Sequence, residues 1–220
     1  MPKWLRNNGL SITMFLLFAI SLVGQLYAGH RHHNSDRIEH GRPAVELGEY
    51  VRSGHFVEAV FENWESEFLQ MAAFVVLTAY LYQKGSPESR HLGGEPDLDK
   101  DPRRAKTKES PWPVHRGGLI LRLYEHSLSL ALFLLFAISF FLHAAGGAKE
   151  HNQEQLEHGN PSAVSTLDYM TTSRFWFESF QNWQSEFLSV GVLVVLSVFL
   201  RERHSPESKP VANPHYETGG

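Results

Sequence analysis

Two short blocks hold the side chains best placed to do chemistry. Asn63-Trp64-Glu65-Ser66-Glu67 and Asn182-Trp183-Gln184-Ser185-Glu186 each set an amide, a hydroxyl and a carboxylate within five residues. On a helix Asn63 and Glu67 are four apart and lie on one flank, as do Asn182 and Glu186. A carboxylate at membrane depth is costly unless it is paired, protonated or wet. Glu67 and Glu186, with Asn63, Ser66, Asn182 and Ser185 around them, are therefore a candidate proton or cation site. The structural alternative has the two carboxylates hydrogen-bonding across a bundle, to His40 and His158 or to backbone donors. Such contacts contribute about 0.6 kcal/mol on average but decide which helices pair.

Histidine offers a second chemistry, with 13 copies in 220 residues. His30, His32 and His33 follow one apolar stretch, and His143 and His151 lie at and beyond the end of another. Imidazole ligates metals, and Glu39 or Glu157 would complete such a set. Only His33/His151 and His40/His158 recur in both halves, and no HExxH spacing occurs. The loops containing Glu39, His40, Glu157 and His158 are thus read as structural or solvent-facing, with His33 and His151 as weak metal candidates and no metal assigned. His126 aligns with Asn8, which removes a symmetric di-haem arrangement. There is no GxSxG, Walker A or GxGxxG motif, so no enzyme activity and no cofactor are expected. With no Cys, thiolate nucleophiles, disulfides and Cys-bound metals are excluded.

The elements that must position these residues are membrane spans. Net charge is -4, which gives no reason to expect a nucleic-acid partner. Mean hydropathy is -0.26, an average that hides four apolar blocks: Leu10 to Ala28, Phe68 to Tyr82, Leu128 to Ala145 and Phe187 to Leu200. The first and third contain no Asp, Glu, Lys or Arg and approach the roughly 20 residues that cross a bilayer. A secretory leader is the rival for the first block, since Lys3 and Arg6 precede it. Against that, Phe15-Leu16-Leu17-Phe18-Ala19-Ile20-Ser21 returns as Phe133-Leu134-Leu135-Phe136-Ala137-Ile138-Ser139, and a mid-chain copy cannot be a cleaved leader.

The recurrence extends to Glu39-His40-Gly41 with Glu157-His158-Gly159, to Tyr50 with Tyr169, and to Ser86-Pro87-Glu88-Ser89 with Ser205-Pro206-Glu207-Ser208. The chain therefore reads as a tandem duplication. Each copy supplies two spans, which implies a parallel pseudo-twofold axis along the membrane normal. The second and fourth blocks are too short as written, and extending them to about 20 residues brings Trp64 and Trp183 to the interface as aromatic anchors. By helical phase Phe56, Val60, Trp64 and Phe68 share a face opposite Glu58, Glu62 and Glu65, which reads as solvated. Basic residues cluster in the termini and the central segment, so both termini are expected in the cytoplasm. The two Ser-Pro-Glu turns are expected to start short helices, with Ser as N-cap and Pro at the first position.

The combination of Asn8-Gly9-Leu10-Ser11, Glu39-His40-Gly41 and Glu62-Asn63-Trp64-Glu65-Ser66-Glu67-Phe68-Leu69-Gln70 resembles a family of bacterial four-span membrane proteins of unknown function. That resemblance implies the bacterial cytoplasmic membrane and brings no activity with it.

The expectation is an all-α integral membrane protein with four transmembrane helices as two tandem two-helix repeats. Residues 1–90 form the first repeat (spans about 10–28 and 63–82) and 91–116 a flexible cytoplasmic linker. Residues 117–208 form the second repeat (spans about 128–145 and 181–200), and 209–220 a disordered tail. Its expected partners are the lipid bilayer and a second copy of itself, with no nucleic acid among them. A non-catalytic envelope component is the leading function, a conductor using Glu67 and Glu186 the alternative, and a lipid-modifying enzyme the weaker third.

Overall fold

The protein's fold is given by a computed structural model that describes residues 2–90, 100–160 and 163–218. The first nine residues of the expected linker and the last two of the expected tail lie outside the described residues. Everything regular among the described residues is helical, and the helices come in matched lengths. Helices α2 (Gly9–Glu39) and α7 (Ser127–Glu157) have 31 residues each, α4 (Gly54–Tyr80) and α9 (Ser173–Phe199) have 27, and α3 (Leu47–Tyr50) and α8 (Thr166–Tyr169) have four. Three short helices complete the order: α1 (Lys3–Asn7), α5 (Trp112–Arg116) and α6 (Gly118–Glu125).

Among the described residues, three helices are long and apolar enough to cross a membrane: α2, α7 and α9. None of the most apolar window of α2 is buried within the protein. Leu10, Phe15 and Leu134 are correspondingly open to the surroundings. Apolar side chains turned outward along a whole helix require lipid rather than water around them. Helix α4 is not among the three, because Glu58, Glu62, Glu65 and Glu67 crowd its first half.

Both α4 and α9 start about nine residues before the Asn-Trp blocks, further back than the extension from Phe68 and Phe187 had reached. A helix of 31 residues is about 46 Å long, against roughly 30 Å of hydrocarbon. Helices α2 and α7 therefore project past the apolar stretch, and their last three turns carry the His and Asn side chains.

The backbone packs as two units. One comprises Met1–Val60 with Leu142–Thr171, the other Phe61–Phe141 with Thr172–Gly220, so each draws on both halves of the chain.

In the first unit, two asparagines each bracket a loop. Asn34 Nδ2 donates to the Val45 carbonyl at 3.0 Å while its Oδ1 accepts from the Val45 N–H at 2.8 Å. Asn152 does the same to Val164, at 2.9 and 2.7 Å. These bonds satisfy backbone groups that no strand or helix would pair. They also fix Val45 and Val164 just ahead of α3 and α8, which end on Tyr50 and Tyr169, both buried. Glycine makes room for the two rings. A Cβ on Gly29 would strike the Tyr50 hydroxyl, and one on Gly147 would sit 2.5 Å from the Tyr169 ring. Gly146 likewise admits the backbone of Glu58, whose nitrogen lies 2.5 Å from where its Cβ would be.

In the second unit, Phe136, Phe140, Phe175, Trp176, Phe180 and Trp183 form one aromatic cluster with ring centroids 5.0–6.4 Å apart. The Ser-Pro-Glu segments are turns and start no helix, contrary to expectation. Ser86 Oγ accepts from Glu88 N–H at 3.2 Å and Ser205 Oγ from Glu207 N–H at 3.1 Å. Ser89 and Ser208 close the same turns by accepting from the N–H of Gln83 and Glu202. Ser86 and Ser205 thus make the cap-type bond to the second residue on, but the backbone beyond them does not continue as a helix.

The expected disordered tail is folded back in the structure. The Lys209 ammonium, 1% exposed, donates to the carbonyls of Pro214, His215 and Glu217 at 3.0–3.2 Å. Thr218 Oγ1 accepts from Gly85 N–H at 2.8 Å. The end of the expected linker is also ordered, since residues 112–116 form α5 behind Pro111.

Candidate functional site

The projecting ends of α2 and α7, with α3, α8 and the start of α4, gather a cluster of titratable rings in the first unit. His30 and His33 stand one turn apart on α2, so both reach Tyr50, with ring centroids at 5.5 and 5.4 Å. His55, in the first turn of α4, lies 5.1 Å from His33 with the rings tilted at 46° and shares a 3.2 Å hydrogen bond between its Nδ1 and the Tyr50 hydroxyl. The start of α4 is capped twice. Ser53 Oγ accepts from Phe56 N–H at 3.1 Å, and Glu150 of α7 accepts from His55 N–H at 2.9 Å. The matching tyrosine, Tyr169, donates to Glu58 at 3.3 Å and has His151 at 6.0 Å.

His33 lies five residues past the apolar stretch, and burial, then the neighbouring His55, pushes its pKa below the ordinary 6.5. Burial, then the Glu150 charge, raises the Tyr50 hydroxyl above 10. Both rings are therefore neutral near pH 7 and available as hydrogen-bonding groups rather than as charges. A cavity of about 380 Å³ opens beside His33.

The other expected positions are placed as follows. Ser66 is buried and donates to the Asn63 carbonyl at 2.8 Å, as Ser185 does to the Asn182 carbonyl at 2.8 Å. Asn63, Glu67 and Ser185 are exposed on the protein rather than packed, and Glu186 is half-buried. Glu67 and Glu186 nevertheless lie close enough to feel each other's charge.

Asn182 donates to Glu62, and Trp183 Nε1–H donates to Glu65 at 3.0 Å. Trp64 packs edge-on to Phe61, centroids 5.1 Å apart. Glu65 is fully buried and Glu58 is 8% exposed, so the acidic face read as solvated is turned inward. His40 is held locally by the Asp36 carbonyl at 2.9 Å. Glu157 pairs with Arg42, while Glu39 and His158 are exposed. His33 and His151 each sit against a tyrosine, and among the described residues neither joins two further metal-ligating side chains.

The residues that build this cluster and were missed are Asn34, Asn152, Gly29 and Gly147. A signal for them existed: Gly29-x-x-x-His33-Asn34 returns as Gly147-x-x-x-His151-Asn152 at the same spacing.

The chain matches over residues 1–220 the family described as Domain of unknown function (DUF6766). It is a DUF6766 protein. The membership agrees with the resemblance in its coarser part, an uncharacterised family spanning the whole chain. Neither the curated proteins nor the solved structures give a match. This DUF6766 chain combines apolar helices fit for lipid with a polar head of histidine and tyrosine rings on a bracketed scaffold.

Proposed function

We propose that the protein is a four-span component of the bacterial cytoplasmic membrane with a non-catalytic binding role. It is built as two tandem repeats about a parallel pseudo-twofold axis and has both termini in the cytoplasm. In this reading α4 is the fourth span, with Glu58 and Glu65 facing protein rather than lipid. The observation that carries the reading is the doubled bracket of Asn34 on Val45 and Asn152 on Val164. Rigid polar structure is built twice at the same distance beyond two apolar helices, which suits recognition at a membrane surface.

Because the chain has no Cys, a single introduced thiol reports alone. In intact cells a membrane-impermeant maleimide is expected to label Asn160→Cys and to miss Thr107→Cys. The reverse pattern overturns the orientation.

The nearness of Glu186 on α9 to Glu67 on α4 favours one second reading, a proton or cation conductor. Flux into liposomes is then lost in Glu67→Gln with Glu186→Gln, and flux that survives the pair removes this reading.

A further inference from the structure

The cavity beside His33 has the chemistry of an anion site. Its wall includes His33, Arg37, Glu49, Arg52, Lys149 and Gln153, brought together from α2, α3, the turn before α4, and α7. Three cations and one carboxylate line it, whereas the whole chain carries -4. The local excess is opposite in sign to the protein's net charge and gives the cavity a local attraction for anions.

Two of the cations are held. Arg37 donates its Nε–H to the Pro43 carbonyl at 3.0 Å, which fixes the guanidinium plane and leaves the Nη groups as its remaining donors. Such a fork matches two oxygens of one phosphate. Lys149 donates through Nζ to the Arg52 carbonyl, tying α7 to the turn that carries the second guanidinium. His33 and Gln153 add uncharged polar groups.

A volume of about 380 Å³ falls within the roughly 300–1,000 Å³ of small-molecule sites, larger than a bare ion needs. Glu49 disfavours a second negative group and accepts from a hydroxyl or an amine. The positions matching Arg37 and Arg52 in the second half of the sequence are Gln155 and Thr171. Around the second tyrosine the Asn bracket recurs without these two cations.

We propose that this cavity binds the phosphate of a small phosphate ester bearing a hydroxyl or amine, free in solution or as a lipid headgroup. The proposal deepens the reading of the head as a binding surface and rests on it. Either source presents the same chemistry, because the cavity lies just past the apolar end of α2, where headgroups and solutes meet.

The test uses the full chain. In neutral detergent it is titrated with sn-glycerol 3-phosphate. In nanodiscs of phosphatidylcholine containing phosphatidylglycerol, native mass spectrometry reads which lipid is retained. Saturable glycerol phosphate binding identifies a free ester as the ligand, and selective phosphatidylglycerol retention alone identifies a headgroup. In either case Arg37→Gln with Arg52→Gln weakens binding at least tenfold, while Gln155→Ala leaves it unchanged. Arg52 is exposed, so Arg52→Gln alone, with helicity checked by circular dichroism, keeps the test valid if the double variant misfolds. No binding of either probe, or binding indifferent to these arginines, overturns the proposal. Detergent binding does not depend on orientation, so failure here with correct maleimide labelling removes the phosphate site alone. Reversed labelling with binding retained removes only the topology.

Discussion

The side chains of Glu88 and Glu207, one from each Ser-Pro-Glu turn, hydrogen-bond to one another in the second unit. Two carboxylates can do this only by sharing a proton. Burial, then the Glu207 contact, lifts Glu88 from the ordinary 4.5 to about 7.

That pair makes stability depend on pH with a definite sign. The folded-state pKa is raised, so the folded protein holds the proton more tightly than the unfolded chain does. The stabilisation is fully present below pH 4.5, falls as pH rises, and is gone once pH has passed 7. Thermal unfolding of the purified protein at pH 5.5 and 8 should show a higher Tm at the lower value. Glu88→Gln should flatten that difference, and an unchanged slope would remove the shared proton from the account.

Asn34→Ala deletes both bonds to Val45, leaving its N–H to find water and its carbonyl with the His30 Nε2 at 2.8 Å alone. The expected loss is about 1–3 kcal/mol, read as a lowered Tm in detergent. Asn152→Ala should behave alike, since its bracket on Val164 has the same two bonds.

Two glycines on the long helices should respond oppositely to Ala. At Gly147 the new Cβ falls 2.5 Å from the Tyr169 ring, so the ring must shift, at about 1–3 kcal/mol. At Gly24 nothing lies within 4 Å, and the better helix propensity makes the change neutral or stabilising by up to about 1 kcal/mol. Paired melting curves decide it; equal losses at both sites would contradict the packing described.

Trp183→Phe preserves the aromatic cluster but withdraws the N–H from Glu65. With Glu65 fully buried, the loss should be about 1–3 kcal/mol. Glu65→Gln keeps an oxygen for the indole and should cost less. Denaturant titration of the two variants orders them.

What the sequence disclosed was governed by local rules. Apolar composition located α2, α7 and the core of α9, because helix length and hydropathy are properties of contiguous residues. Phase placed Glu58, Glu62 and Glu65 on one side of α4, but periodicity names a face without naming what that face meets. In water an acidic face turns outward; beside lipid it turns in, and Glu65 is fully buried. The partner of Asn34 lies eleven residues away in a loop with no pattern of its own, so nothing in a periodic reading pointed to it. Lys209 was missed for a similar reason, as its three acceptors are backbone carbonyls that any sequence would supply.

The length of α2 leaves one rigid rod answering to two media. Up to about Ala28 its outward residues are apolar and a charge there would be penalised, while swaps among Leu, Ile and Phe should pass almost unnoticed. A turn later the tolerance inverts: beyond Gly29 a greasy substitution has no acyl chain to dissolve in, and the exact identity of His33 and Asn34 begins to matter. A mutational scan along this single helix should therefore record the depth at which hydrocarbon gives way to aqueous surroundings.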